Sequence, residues 1–229
     1  MSQDAYRLIS PDGKETELKI HSGTTGPDLI DISTLYRDQG VFTFDPGFVA
    51  TGSCKSDITF IDGEKGILMY RGYPVEQLAK HSNFLEVCYL LLHGELPTQS
   101  ELEDFDTTIR THTMLNDGMV NFFKDFRYDV QPMAMLSAVV GSMSAYYHAE
   151  MNASNPKHRD IFAHRLVAKL PTIAAAAYKL NIGQPFMYPR NDLSYAENLL
   201  HLLFTNHAEK YEPHPAVVRA IDALLILHA

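Results

Sequence analysis

The stretch NFLEVCYLLLHGELPTQSE, residues 83–101, contains the start and stop signals of a helix and predicts the fold class of the chain. Asn83 and Glu86 have the spacing of a capping box, in which each side chain accepts a hydrogen bond from the other residue's backbone N–H. Gly94 follows the apolar run and is the residue type that most readily adopts the left-handed conformation found just after a helix. These signals predict a helix between Asn83 and Gly94.

Helix signals of the same kind recur over the rest of the chain. Thr98 with Glu101, and Ser194 with Glu197, have the capping-box spacing. The fold class is therefore predicted to be mainly α. Residues 73–229 are assigned to the N-terminal part of a large α-helical domain.

One long helical stretch contains a proline: KLPTIAAAAYKL, residues 169–180. Proline lacks a backbone N–H, and its ring clashes with the preceding turn of a helix. We therefore expect Pro171 to start or to kink this helix. The four consecutive alanines that follow favour close packing against other helices.

The first 72 residues have a different pattern and are predicted to form a small β-rich N-terminal region. YRLISPDGKETELKI (6–20) and ITFIDGEKGILMYRG (58–72) each contain two apolar runs around a turn rich in Asp and Gly, which is typical of a hairpin. The glycines of the second turn match no phosphate-binding motif.

Composition limits the function classes. The chain has 229 residues, of which 45% are hydrophobic and 21% charged, which is typical of a globular protein. Its net charge of −9 argues against extensive nucleic-acid binding. The two cysteines, Cys54 and Cys88, are too few for a disulfide framework, and the N-terminus has no secretion signal. We expect a cytoplasmic protein.

The stretch from Val130 to Ala149 is uncharged over 20 residues, which is long enough to cross a membrane. It contains Gln131, Pro132 and His148 as well as several serines and tyrosines. We interpret it as a buried helix and expect no membrane association.

The last ten residues, AIDALLILHA (220–229), are predicted to be helical from Pro215 onward. No residue after the apolar run supplies a stop signal. We therefore expect the chain to stop within a helix and the helical domain to be incomplete.

Histidines are numerous, with eleven in the chain, but their spacing does not indicate a metal centre. No two lie four apart, as the ligands of a helical zinc motif do. His93, His148, His201 and His207 are expected to be surface or packed residues. No GxSxG motif or other complete catalytic set is present.

Arg165 and Lys169 lie four residues apart and therefore share a helix face. Two interpretations remain open. One is a solvated basic face. The other is a phosphate or diphosphate pocket, in which arginine supplies a two-pronged contact and lysine a point charge. Tyr147 and Met114 are candidates to flank a nucleotide base.

Several longer stretches together resemble one known family. The chain resembles the first half of citrate synthase, and specifically the hexameric, NADH-inhibited type of Gram-negative bacteria. The stretches that carry the resemblance are GVFTFDPGF (40–48), ITFIDGEKGILMYRGYPVEQLA (58–79), FLEVCYLLLHGELPT (84–98), IGQPFMYPRNDLSYAENLL (182–200) and LLILHA (224–229).

The resemblance implies condensation of acetyl-CoA with oxaloacetate to citrate and CoA in the tricarboxylic acid cycle. It implies no required cofactor, and a homo-oligomer, either a dimer or a hexamer. The family's catalytic aspartate and its two principal catalytic histidines would lie beyond Ala229, so this chain alone is expected to be inactive. Only His228 would reach the edge of the active site, where two roles stay open for it: helix packing beside the site and contact with substrate.

The resemblance also implies an allosteric NADH site within this chain. The matching residues are His112, Thr113, Met114, Tyr147, Arg165, Lys169 and Asn191. Three positions depart from the family's site: an arginine falls on Thr111, a threonine on Asn206 and a reactive cysteine on Ala208. Arg110 is one place from the missing arginine and is a candidate to replace it. We expect weaker NADH inhibition than in close relatives.

The sequence disfavours two other functions. A stand-alone helical module that senses nucleotides is disfavoured because such a module would close its last helix. A 2-methylcitrate synthase, which uses propionyl-CoA, is disfavoured because the N-terminal region and the NADH-site residues match the hexameric citrate synthase type.

Overall fold

The helices and strands fall into two units, Met1–Gly72 and Tyr73–Ala229. They are seen in a computed structural model that describes residues 5–150 and 152–229, with only the backbone described at residue 150. Strands dominate the first unit and helices the second, as the sequence predicts for the fold class.

The first unit contains both predicted hairpins. Strand β1 pairs antiparallel with β2, with Ala5 opposite Lys19, and β4 pairs antiparallel with β5, with Thr59 opposite Tyr70. The elements of this unit are β1 (Ala5–Ile9), β2 (Glu15–His21), β3 (Leu29–Ile30), α1 (Leu35–Gln39), β4 (Thr59–Asp62) and β5 (Ile67–Tyr70). In the second hairpin, the Asp62 carboxylate accepts hydrogen bonds from the backbone N–H and the ammonium of Lys65. The glycines there serve a turn.

The second unit is helical after a two-residue strand, β6 (Tyr73–Pro74). Its helices are α2 (Val75–His81), α3 (Phe84–His93), α4 (Gln99–Thr111), α5 (Asp117–Phe123), α6 (Pro132–Tyr146), α7 (Pro156–Asn181), α8 (Tyr195–Phe204) and α9 (Pro215–Leu227). A 3-10 turn, His148–Glu150, lies between α6 and α7.

The three predicted capping boxes are confirmed. At the start of α3, the Asn83 side chain accepts from the Glu86 N–H at 3.0 Å, and the Glu86 carboxylate accepts from the Asn83 N–H at 2.8 Å. The same reciprocal pattern opens α4 and α8. Gly94 ends α3 with a φ of 96°, where a side chain would be strained. These boundaries follow from hydrogen bonds between residues close in sequence.

Helix α7 has 26 residues in all and includes Pro171 in its interior. The predicted helix start at this proline is therefore wrong. Pro171 has no N–H to donate to the carbonyl of Val167, four residues earlier. The hydroxyl of Tyr195, on α8, donates to that carbonyl instead, at 2.9 Å. A partner from another helix thus offsets the backbone hydrogen bond that proline cannot make.

The main core lies where α7 packs on α5 and α6. Its fully buried side chains include Met119, Phe123, Met135, Val139, Met143 and Ile173. Three of the four alanines, Ala175, Ala176 and Ala177, are buried, as expected for close packing.

The uncharged stretch 130–149 contains α6, which has 15 residues. Within the described residues, no helix combines the length and the apolar character needed to cross a bilayer. In the last helix, α9, Ile226 is fully buried, whereas Leu224 and Leu227 are about half exposed.

Candidate functional site

Arg165 and Lys169, one turn apart on α7, lie against the ring of Tyr147, the residue that ends α6. The guanidinium carbon of Arg165 is 4.7 Å from the ring centroid, and the Lys169 Nζ is 5.6 Å from it. Both distances are in the range of cation–π attraction. Tyr147, Arg165 and Lys169 are called the cation cluster below.

Lys169 is only 5% exposed, so the solvated-face interpretation is wrong for this residue. Its ammonium donates to the backbone carbonyl of His112 at 2.8 Å and to that of Met114. The adjacent carbonyl, that of Thr113, accepts from the Thr172 hydroxyl at 3.0 Å. The loop after α4 therefore turns three consecutive carbonyls toward α7, which satisfies polar groups that would be costly to bury unpaired.

Burial and neighbouring charge together shift the pKa values of Lys169 and Tyr147. Burial, with the neighbouring charge of Arg165 as the smaller cause, lowers the pKa of Lys169 to about 8. Burial raises the pKa of Tyr147, and Arg165 opposes that change. The protonated form of Lys169 is therefore less favoured than that of a surface lysine. An anion placed beside it would favour its charged form.

An open cavity of about 360 Å³ lies next to the cation cluster. It is lined by Thr108, His112, Asp160, Ile161, His164 and Arg165. Because Arg165 lines this cavity and the Lys169 ammonium faces backbone carbonyls, an entering anion would meet Arg165 first. The carboxylate of Asp160 on the same wall would oppose an anion there.

Six of the seven predicted NADH-site residues come together around this helix: His112, Thr113, Met114, Tyr147, Arg165 and Lys169. Asn191 is exposed in the loop between α7 and α8. Within residues 5–150 and 152–229, no hydrogen bond or ion pair joins Asn191 to the other six. The Met114 side chain is half exposed and lines a different, small cavity with Tyr188.

The three departing positions lie outside the cation cluster. Thr111 donates to carbonyls of its own helix. Asn206 accepts from the backbone N–H of Ala208 in a tight turn after α8. Arg110 is held by Asp106, with Nη2 2.7 Å from a carboxylate oxygen, and it lines a separate cavity. The substitution of Arg110 for the missing arginine stays a prediction.

His228 is exposed at the end of α9, where its Nδ1 donates to the carbonyl of Leu224 at 2.7 Å. This bond leaves Nε2 available to solvent.

A second group of polar side chains, which the sequence analysis did not identify, also involves α7. One potential ligand atom from each of His93, Asp160 and His164 lies within 4.8 Å of the other two. Asp160 and His164 are four residues apart, a spacing that puts them on one helix face. His93 comes from α3 and is brought there only by tertiary packing. These three residues are called the His–Asp–His cluster.

Comparison with known proteins shows the family to which the chain is similar. Residues 47–229 match the family model described as the C-terminal domain of citrate synthase. Citrate synthase from Pyrobaculum aerophilum is 31% identical, with a TM-score of 0.68 over 100% of this chain and 50% of that one.

Two further solved structures agree. Citrate synthase from Thermotoga maritima is 29% identical, with a TM-score of 0.65 over 81% of this chain and 46% of that one. The enzyme from Thermoplasma acidophilum, in a ternary complex with carboxymethyl coenzyme A and oxaloacetate, is 27% identical, with a TM-score of 0.74 over 81% and 47%. The chain spans about half the length of these structures.

Proposed function

The chain belongs to the citrate synthase family, and we propose that it supplies the N-terminal portion of an enzyme that condenses acetyl-CoA with oxaloacetate. The supporting observation is the family match over residues 47–229 together with 31% identity across the whole chain to one relative. The products would be citrate and CoA, in the tricarboxylic acid cycle. A cytoplasmic location agrees with the two free cysteines.

The reaction removes a proton from a weak carbon acid, which requires a positioned base and stabilisation of the developing oxyanion. We assign these roles to residues of the other half of the enzyme, and His228 to the edge of that site. The test follows release of the free CoA thiol from acetyl-CoA and oxaloacetate by this chain and by the full-length protein. We expect turnover by the full-length protein only.

The same assay tests the substrate class. Turnover of propionyl-CoA above that of acetyl-CoA would identify a 2-methylcitrate synthase instead. If the full-length protein turns over neither acyl-CoA, the proposed activity is wrong. If the 229-residue chain alone matches the full-length protein, the assignment of catalysis to the other half is wrong.

We further propose that the cation cluster binds the diphosphate of NADH as an allosteric inhibitor, as in the hexameric type of the family. Arg165 would make the main phosphate contact because it lines the open cavity. Lys169 would add charge from behind, and Tyr147 would hold both cations in place. The other four proposed contacts belong to the same hypothesis only through the resemblance: His112, Thr113, Met114 and Asn191.

Titration of NADH into the full-length protein, with substrate kinetics measured in parallel, tests this proposal. We expect inhibition that is weak and sensitive to salt, because the phosphate-facing arginine is replaced by Thr111 and Arg110 is held by Asp106. No inhibition and no binding of NADH would remove the allosteric proposal and leave the catalytic one intact. Sedimentation of the same sample distinguishes a dimer from a hexamer.

A further inference from the structure

The His–Asp–His cluster combines side chains from two helices. His93 is the last residue of α3, and Asp160 and His164 occupy successive turns of α7. One ligand atom from each lies within 4.8 Å of the others. Ligands at 2.0–2.2 Å from a tetrahedral zinc ion are about 3.4 Å apart, so the three side chains must move closer together to bind one. Asp160 is exposed, so its side chain can make most of this adjustment.

Packing restricts the two imidazole rings. Phe105, which is 5% exposed, has its ring centroid 5.1 Å from that of His164 and 6.5 Å from that of His93. Tyr89 also packs on His93, at 4.2 Å between centroids. Because these contacts already orient the rings, ordering them around an ion costs less conformational entropy than ordering free surface side chains.

A hydrogen bond defines which nitrogen of His164 can bind an ion. Its Nδ1 is 2.7 Å from the backbone carbonyl of Asp160. A carbonyl only accepts, so Nδ1 carries the proton and Nε2 keeps its lone pair. Metal-binding histidines usually donate their second ring N–H to a carbonyl or carboxylate in this way, which fixes the tautomer and the ring orientation.

The cluster is open to solvent. Asp160 and His164 line the cavity of about 360 Å³ described above, and His93 lines another of about 320 Å³. An ion therefore has an entry path and space for a water ligand. The charge of Asp160 favours a cation, whereas Arg165, on the wall of the first cavity, opposes one. This balance favours moderate rather than very tight binding.

We propose that His93, Asp160 and His164 form a binding site for a divalent transition-metal ion such as Zn²⁺, with water completing the coordination. Two imidazoles and a carboxylate suit this class of ion better than Ca²⁺ or Mg²⁺, which prefer all-oxygen sites. The ion would join the end of α3 to α7 and stabilise their packing. This proposal does not depend on the catalytic one, but the ion would share a cavity with Arg165, the residue proposed above to contact the NADH diphosphate.

The test uses the full-length protein without an affinity tag, freed of metal with a chelator. Co²⁺ is titrated while its visible absorption is recorded, and Zn²⁺ is then added in competition. The variants are His93→Ala and Asp160→Asn, both at exposed positions, and the matched control is His207→Ala, an exposed histidine outside the cluster. Circular dichroism melting of each metal-free variant shows that it is folded.

The expected result is one strong Co²⁺ site in the wild type and in His207→Ala. Both cluster variants should bind at least about tenfold more weakly, since even residues behind the ligands change affinity by 10- to 100-fold. Zn²⁺ should raise the melting temperature of the wild type and of His207→Ala only. Equal affinity in the wild type and in both cluster variants, or no binding by the wild type, would overturn the proposal.

Discussion

Two lysines on α7, Lys169 and Lys179, are both buried, and comparing their surroundings separates a structural role from a binding role. Lys169 is 5% exposed and donates to the carbonyls of His112 and Met114. Lys179 is 1% exposed and donates to the carbonyl of Thr205 and to the side chain of Gln184, both at 2.8 Å. Each ammonium thus holds a loop against the same helix.

The two regions differ in the charge and space around the lysine. Lys169 has a second cation, Arg165, one turn away and an aromatic ring beneath both. Arg165 also lines an open cavity. Burial alone lowers the pKa of Lys179, whereas Arg165 contributes to the lowered pKa of Lys169. A buried lysine on backbone carbonyls is therefore not by itself a sign of function. The neighbouring cation with access to solvent is the feature that indicates an anion site.

The largest expected effect is on stability at the structural lysine. Lys179→Ala removes a fully buried side chain and leaves the Thr205 carbonyl unpaired, so we expect a loss of about 2–5 kcal/mol of unfolding free energy. NADH affinity of the folded protein should stay unchanged. Chemical denaturation measures the first quantity and NADH titration the second. A loss of NADH binding here would mean that the two lysines do not differ in role.

The next largest effect is that of Arg165 on NADH binding. Arg165→Ala should weaken NADH about 10- to 100-fold, because a charge-assisted bond to phosphate contributes roughly 1.5–3 kcal/mol. Turnover without NADH should be nearly unchanged. Lys169→Met and Lys179→Met form a matched pair: both should lower stability, and only the first should weaken NADH.

These binding variants also have a clear contrary outcome. If the inhibition midpoint for NADH is the same in Arg165→Ala and the wild type, the cation cluster does not bind the nucleotide. If Arg165→Ala abolishes turnover in the absence of NADH, the cluster belongs to the catalytic machinery instead.

A smaller effect is expected from pH. The pKa of Lys169 is about 8 in the unliganded protein. Only its protonated form attracts phosphate, so NADH affinity should fall as pH rises from 7 to 9, by up to about tenfold per pH unit above the pKa. Lys169→Met should flatten this dependence, and Lys179→Met should leave it as in the wild type. NADH titrations at several pH values, at constant ionic strength, measure it.

The smallest effect concerns Tyr195, a neutral donor to a carbonyl of α7. Tyr195→Phe removes the hydroxyl that donates to the Val167 carbonyl, so we expect a loss of about 1 kcal/mol of unfolding free energy. This loss should be below that of Lys179→Ala, since the lost bond is uncharged. Thermal or chemical denaturation measures it. A loss as large as that of Lys179→Ala would show that the charge of the donor does not explain the difference between Lys179 and Tyr195.

Much of the fold could be predicted because its signals are local. The capping boxes at Asn83, Thr98 and Ser194, the glycine that ends α3 and the turns of the two hairpins depend on hydrogen bonds between residues at most five apart. The family was also recognisable from local motifs. For the cation cluster, helical spacing alone put Arg165 and Lys169 on one face.

What only the tertiary structure decided involves partners far apart in sequence. The carbonyls that bind Lys169 lie 55 and 57 residues away, and the hydroxyl that allows α7 to continue past Pro171 lies 28 residues from the carbonyl it satisfies. The pairing of Arg110 with Asp106 is local, but only the fold showed that Arg110 lines another cavity. Likewise, the four-residue spacing puts Asp160 and His164 on one helix face, but only the packing of α3 brings His93 close to them. Long-range contacts of this kind depend on how helices pack, and the local periodicity of a sequence does not encode which face meets which partner.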